Sequence, residues 1–244
     1  MTDLARVAEL EASGRAALPA LEERRVGGWA LRVSGGDTKR VNSASPTIAN
    51  ARPGEVMEEA KALYAANALP CRFRLTPLAH EDADALLEGA GFSPAEPSVT
   101  MVARLGARPA DAAVVMRGRA DAAWLARAEP LSGRSAAATA VQARLLAAMP
   151  GPIVLATIEE EGLVVAAGYA SVGGDRAQLS DIVVTPHARG RGLGRRLVSG
   201  LLRWAHARER REAMLQVRAD NDVARGLYRS LGFADAYPYH YRVR

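Results

Sequence analysis

"TPHARGRGLGRR", residues 185–196, decides how this chain is read. It follows the mostly apolar run 181–184 and alternates three glycines (Gly190, Gly192, Gly194) with four arginines. Downstream, Leu193, Leu197 and Leu201 with Val198, Leu202 and Ala205 recur at helical spacing, so a helix is expected from about Gly192. The glycine-arginine stretch is therefore a strand-to-helix turn. The first turn of such a helix has unpaired N–H groups and the positive end of the helix dipole, which together attract an anion. Glycines let the backbone curl through positive φ and remove side chains that would hold a phosphate away from those amides. Arg189, Arg191 and Arg195 add positive charge, and a pyrophosphate is the expected guest.

Composition bounds the alternatives. The chain has 244 residues and is 49% hydrophobic, enough for one large domain or two small ones. Its N-terminal residues have no apolar stretch and nowhere do roughly 18 uncharged apolar residues run together, so neither a signal peptide nor a membrane span is expected, and with a single cysteine the location expected is cytoplasmic. The single cysteine, Cys71, and four scattered histidines offer no disulfide or metal-ligand spacing; no metal is expected. The net charge of +5 raises the possibility of nucleic acid. All but two of the 32 Lys+Arg residues are arginine, however, and no basic stripe with interleaved aromatics is present, so no nucleic-acid partner is expected.

The turn lacks the Gly-Lys-Ser/Thr of a nucleotide-hydrolase loop and the Gly-x-Gly-x-x-Gly of a dinucleotide fold. A second motif narrows the choice. "LQVRADNDVARGLYRSLGF", residues 215–233, reads as a strand, an Asp220/Asn221 cap and a helix stopped at Gly232. Arg189, Gly192 and Gly194, preceded by Val184-Thr185-Pro186, resemble the cofactor loop of the GNAT acyltransferase superfamily. Asn221, Ala224, Tyr228, Gly232 and Phe233 resemble that family's second cofactor motif. The stretches around residues 29–46 and 237–242 look like its tandem-domain branch.

The resemblance implies an N-acetyltransferase that moves acetyl from acetyl-CoA to a primary amine by direct attack, with a non-catalytic CoA-binding or sensor protein as the alternative. It implies a cofactor site of Ile182, Val183, Val184, Arg189, Gly190, Arg191, Gly192, Leu193, Gly194, Arg195, Asn221, Ala224 and Tyr228. Backbone N–H groups of 182–184 would serve the oxyanion, and Tyr228 would return a proton to the departing thiolate as general acid. Family members often place a glutamate base where this chain has Gln178 and Gln216, neither of which accepts a proton at neutral pH. Asp181 is the candidate carboxylate base, behind a water relay. His240 and Tyr239 are candidates for the acceptor side, His187 for the loop beside the cofactor, and Trp29 and Trp204 for the core.

Landmarks repeat along the chain. Pro46 and Pro186, and Gly54 and Gly194, stand 140 positions apart, and "LLEGAGF" (86–92) precedes "LYRSLGF" (227–233) by 141. This reads as an internal duplication of one α/β unit. Two related domains are expected, 1–106 and 112–244, each a mixed, largely antiparallel twisted sheet flanked by helices. Hairpins are expected through Gly35-Gly36-Asp37 into residues 38–42 and through Gly173-Gly174-Asp175 into residues 177–184. The front of the first unit is expected to shrink to a helix within residues 3–24, whereas the second adds a strand at 114–117, a helix capped by Asp121, a helix at 135–148 and a strand at 153–158. Each unit is expected to close with its own strand, 99–105 and 237–244. In the first copy Ala49, Asn50, Arg52 and Gly54 replace Arg189, Gly190, Gly192 and Gly194, while His80 and Leu87 replace Asn221 and Tyr228. The first unit is thus expected to be degenerate, and the chain to be a monomer or homodimer.

Overall fold

The computed structural model describes residues 2–119 and 122–244. Asp121, expected to cap a helix, lies outside the described residues. The described strands are β1 (Glu22–Val26), β2 (Trp29–Val33), β3 (Ala44–Pro46), β4 (Arg72–Leu75), β5 (Ser93–Arg104), β6 (Val114–Arg117), β7 (Ile153–Glu160), β8 (Leu163–Gly173), β9 (Arg176–Val184), β10 (Glu212–Arg218) and β11 (Ala234–Val243). The helices are α1 (Leu4–Ala17), α2 (Met57–Ala66), α3 (Ala83–Gly89), α4 (Ala122–Ala128), α5 (Ala136–Ala148), α6 (Leu193–His206) and α7 (Asp222–Arg229). All the strands join one large twisted open sheet in the order β1-β2-β3-β4-β11-β5-β10-β9-β8-β7-β6.

The pairing pattern mirrors itself about the sheet centre. β3 and β4 are parallel on one side, β10 and β9 parallel on the other, and the named pairs between and outside them are antiparallel. Neither half closes on its own last strand. β5, which ends the first half, pairs with β10 through Met101↔Leu215 and neighbouring residues, while β11, which ends the second, pairs with β4 through Tyr241↔Arg74. β5 and β11 lie side by side in the middle. Local sequence carries no record of this exchange, because either strand presents the same alternating pattern to either neighbour.

Two other expectations change. Residues 38–42 form no strand: Asn42 accepts from the amides of Ser34 (2.8 Å) and Gly35 (2.9 Å) and donates to the carbonyls of Gly35 and Thr38. Its amide satisfies the backbone groups that a hairpin ladder would have paired, and a short helical turn follows from Lys39 to Val41. The first half also has β1, which the expectation of a front reduced to a helix within residues 3–24 had missed; β1 is a polar edge strand against β2.

One sheet face carries α2, α3, α6 and α7. Leu75, in the core beneath α2 and α3, lies opposite His240, and Val99, in the core beneath α6 and α7, lies opposite Pro238 two residues away on the same strand. Leu193, Leu197, Val198, Leu201, Leu202 and Trp204 of α6 are buried there, as is Trp29 on the α2 side. The opposite face carries α1, α4 and α5. α1 crosses from its own half onto the other: a Cβ on Gly173 of β8 would lie 2.1 Å from the Ser13 carbonyl oxygen, and Arg6 and Arg176 both bind Glu212. None of the described helices is long and apolar enough to cross a membrane.

Candidate functional site

The parallel pair β9–β10 is bonded only from Glu212↔Arg176 to Met214↔Gln178. Beyond that the strands part, β9 continuing against β8 as far as Val184 and β10 against β5 as far as Arg218. A bulge causes the parting. The register with β8 slips between Ala167 and Tyr169, and Asp181 takes a left-handed backbone with φ 54. Gly168 sits at the slip, where a Cβ would lie 2.5 Å from Ile182 Cδ1 and displace the tip of that side chain. The sequence reading missed Gly168; a glycine inside an apolar strand is the signal that points to it.

The gap opens into a cleft of about 580 Å3 between the start of α6 and α7. Its walls bring together 182–184, Arg189, Gly190, residues 192–195, Asn221, Ala224 and Tyr228, and add Ala188, Val223 and Leu227. Val223 is 87% exposed at the cleft edge, an apolar side chain with little protein cover. The three glycines have two different reasons to be there. Gly190 (φ 75) and Gly192 (φ 77) are left-handed, and an added Cβ would meet nothing within 4 Å. Gly194 is helical, and its missing Cβ lets α7 approach: a Cβ would lie 3.2 Å from Leu227 Cδ2. Gly192 is the N-cap of α6 and has no side chain to cap it; the amide of Arg196 reaches the Gly192 carbonyl, leaving those of Leu193, Gly194 and Arg195 without a helical acceptor.

The loop arginines divide as well. Arg191 does not line the cleft: it forms two 2.8 Å bonds with the Glu160 carboxylate. Arg196 is paired in the same bidentate way with Asp111, and this holds the Asp111 carboxyl down at about 2. Arg189 donates to the Val184 carbonyl and Arg195 to Ser230, so these two cleft-lining guanidiniums have neutral partners.

Asn221 caps α7 by accepting from the Ala224 amide (3.1 Å). One turn on, Tyr228 is 8% exposed and packs edge-on against Phe233, with ring centroids 5.8 Å apart. Burial pushes its phenol up to about 12, so it keeps its proton at neutral pH. Asp181 points away from Tyr228, toward the α5 face, where its Oδ2 accepts from Arg134 (3.0 Å) and Gln142 (3.2 Å). Gln178 and Gln216 bond each other (3.0 Å) on the same face, and Arg40 of the first half donates to Gln216 Oε1 (2.5 Å). A second cleft of about 310 Å3 adjoins them, lined by Asp37, Lys39 and Arg40 from the first half together with Gln216, Tyr239 and Tyr241. His240 lies elsewhere, on the α3 side, with Asp84 3.0 Å away. His187 is exposed in the loop beside Thr185, and Cys71 is buried, which pushes its thiol up to about 11.

The comparisons with known proteins agree with this geometry. A family model described as "Probable histone acetyltransferase Rv0428c C-terminal" matches residues 4–243. The chain is 26% identical to the uncharacterized N-acetyltransferase YobR of Bacillus subtilis over 250 residues, covering all of both. Over 56 residues, 23% of this chain and 34% of the relative, it is 46% identical to the N-alpha-acetyltransferase RimI of Mycobacterium tuberculosis. Among solved structures, a GCN5-related N-acetyltransferase from Kribbella flavida superposes with a TM-score of 0.71 at 17% identity, over 100% of this chain and 96% of that one. A tandem GNAT protein from the clavulanic acid biosynthesis pathway gives 0.60 at 18% identity, over 88% and 77%. At such identities these structures show a shared fold. With the family match spanning nearly the whole chain, the protein belongs to the Rv0428c C-terminal acetyltransferase family and is an acyltransferase enzyme of GNAT type.

Proposed function

We propose that the cleft between α6 and α7 holds acetyl-CoA and that the protein transfers the acetyl group directly to a primary amine. The observation that carries the reading is the left-handed pair Gly190 and Gly192 beneath the uncapped start of α6, in a cleft that runs on into the strand gap. Amides of residues 193–195 and the guanidiniums of Arg189 and Arg195 would hold the pyrophosphate. Val223 and Leu227 offer apolar cover to the rest of the cofactor. Bound there, acetyl-CoA would supply the thioester.

Residues 182–184 border the gap, and backbone N–H groups among them would stabilise the oxyanion. Tyr228, protonated at neutral pH, would donate to the departing thiolate. Asp181 Oδ2 already accepts from Arg134 and Gln142, so the ammonium proton of the acceptor would leave through a solvent relay. The acceptor would enter on the opposite sheet face, where Asp37, Lys39 and Arg40 bring the first half to the 310 Å3 cleft. The mirrored strand order supports reading 1–106 and 112–244 as two copies of one unit that exchange their closing strands, the first serving as a wall for the second.

Tyr228→Phe tests the reading. Thiol release with a panel of amines is expected to fall by about 10²–10⁴-fold while acetyl-CoA binding by calorimetry persists. An unchanged rate removes Tyr228 from the mechanism. Acetyl-CoA binding by the unmodified protein without thiol release on any amine would favour a CoA sensor, the reading that the Gln178–Gln216 pair supports.

A further inference from the structure

Behind Gln216 and Arg40, at the junction of α1 with β2, β4, β9 and β10, lies a recess of about 20 Å3. Arg15, Arg32, Arg40 and Arg74 line it, together with the carboxylate Glu11 and with Gln178 and Gln216. Four arginine side chains thus border a space large enough for one small species, since roughly 10–15 Å3 suffices for a water. The carboxylates that act on them are Glu11, which accepts from Arg74 Nη1 (2.6 Å) and the Tyr237 hydroxyl (2.5 Å), and Glu23, with Oε2 3.3 Å from Arg32 Nε. Positive charge is left in excess. Arg40 has Gln216 as its side-chain partner and no ion pair among the described residues.

Hydrogen-bond demand is unmet in the same place. Arg15 Nε and Nη1 and Arg74 Nε are buried without a hydrogen-bond partner among the described residues, Arg32 Nε has the Glu23 carboxylate at 3.3 Å in poor hydrogen-bond geometry, and Arg32 and Arg74 are each only 4% exposed. The crowding is felt by Arg32, which burial and the neighbouring Arg15, Arg40 and Arg74 push down to about 10 despite Glu23. A water satisfies donors but leaves the charge, and uncompensated buried charge is strongly disfavoured.

We propose that this arginine-lined recess binds a monovalent anion of chloride size, held by Arg15, Arg32 and Arg74 and walled by Gln216. The ion would neutralise the junction on which the first half meets β9 and β10. It would also fix the Arg40–Gln216 contact that borders the second cleft. The small volume of the recess favours a monatomic ion over larger polyatomic anions.

Thermal unfolding in sodium chloride against sodium methanesulfonate at equal ionic strength tests the proposal without acetyl-CoA, so its outcome is independent of the transfer reaction. Chloride is expected to raise Tm by about 2–4 °C over methanesulfonate and to saturate. Equal Tm values in the two salts would mean screening alone and overturn the site. R15M removes two of the unpartnered donors and is expected to abolish the chloride-specific shift; a folded R15M that keeps the full shift overturns the assignment. Crystals of the unmodified protein grown in sodium bromide decide the matter if R15M does not fold. Anomalous density among Arg15, Arg32 and Arg74 supports the site, and a water or no bromide there refutes it.

Discussion

The loop after β3 and the loop after β9 hold the same place in the two halves of the sheet and part company over one or two residues. Asn50 keeps a left-handed backbone (φ 59) where the second half has Gly190 (φ 75), because asparagine tolerates that region better than most residues. Two positions later Arg52 is extended at φ −94 where Gly192 stands at φ 77. The consequences follow along the chain. Ala51 bridges to Ala79, its amide donating to the Leu78 carbonyl and its carbonyl accepting from the His80 amide, while Trp29 Nε1 holds the Arg52 carbonyl. The space that stays open between β9 and β10 is therefore stitched shut between the first-half strands. Leu87, fully buried where the second half has Tyr228, fills the place of the phenol with an aliphatic chain. One fold thus supports an open gap or a closed one, through the bulge that parts β9 from β10 and the loop backbone that follows it.

The joint that both halves share gives the largest expected effect. Glu11→Gln deprives buried Arg74 of its carboxylate partner and is expected to cost about 3–5 kcal/mol in urea unfolding. Its pH dependence has a definite sign. Despite burial, Arg74 and the Tyr237 hydroxyl hold the Glu11 carboxyl below its ordinary value of 4.5. Its contribution is therefore complete above that pH and is lost as pH falls through the lowered value. The Gln variant should lack that part of the acid transition, and an unchanged acid profile would show that Glu11 does not couple the halves.

Next in size is Gly192→Val. A β-branched residue at φ 77 is expected to cost about 1–2 kcal/mol, and acetyl-CoA affinity should fall along with it. Retained affinity would break the contrast between the loops. Arg189→Ala should weaken acetyl-CoA binding by about tenfold, whereas Arg191→Ala, whose partner is Glu160, should change it by less than about threefold. Equal losses on calorimetry would show that Arg191 leaves Glu160 when the ligand binds. Smallest is Gly54→Ala, where an added Cβ meets nothing within 4 Å; stability is expected to stay within about 0.5 kcal/mol.

Most of the cleft was legible in the linear chain because it is built from local features. The helix stripe Leu193–Leu197–Leu201, the Asn221 cap and the positive-φ glycines each depend on a few neighbouring residues. Gly194 shows where that reading falls short: its spacing matched a phosphate loop, yet its own position answers to Leu227 on another helix. Arg191 and Asp181 teach the same lesson, since Glu160 in one case and Arg134 with Gln142 in the other take them up from distant segments.

What the sequence by itself determined was the mixed α/β class, the strand-turn-helix order, the two motifs that face each other across the cleft, and the absence of both from the first half. Only the tertiary structure decided that β5 and β11 change places, that α1 lies on the other half, and that four arginines meet behind Gln216. The physical reason is one of range. Backbone angles, caps and apolar periodicity are set within a few residues, whereas strand partnership and charge pairing are settled among segments that meet only once the sheet has formed.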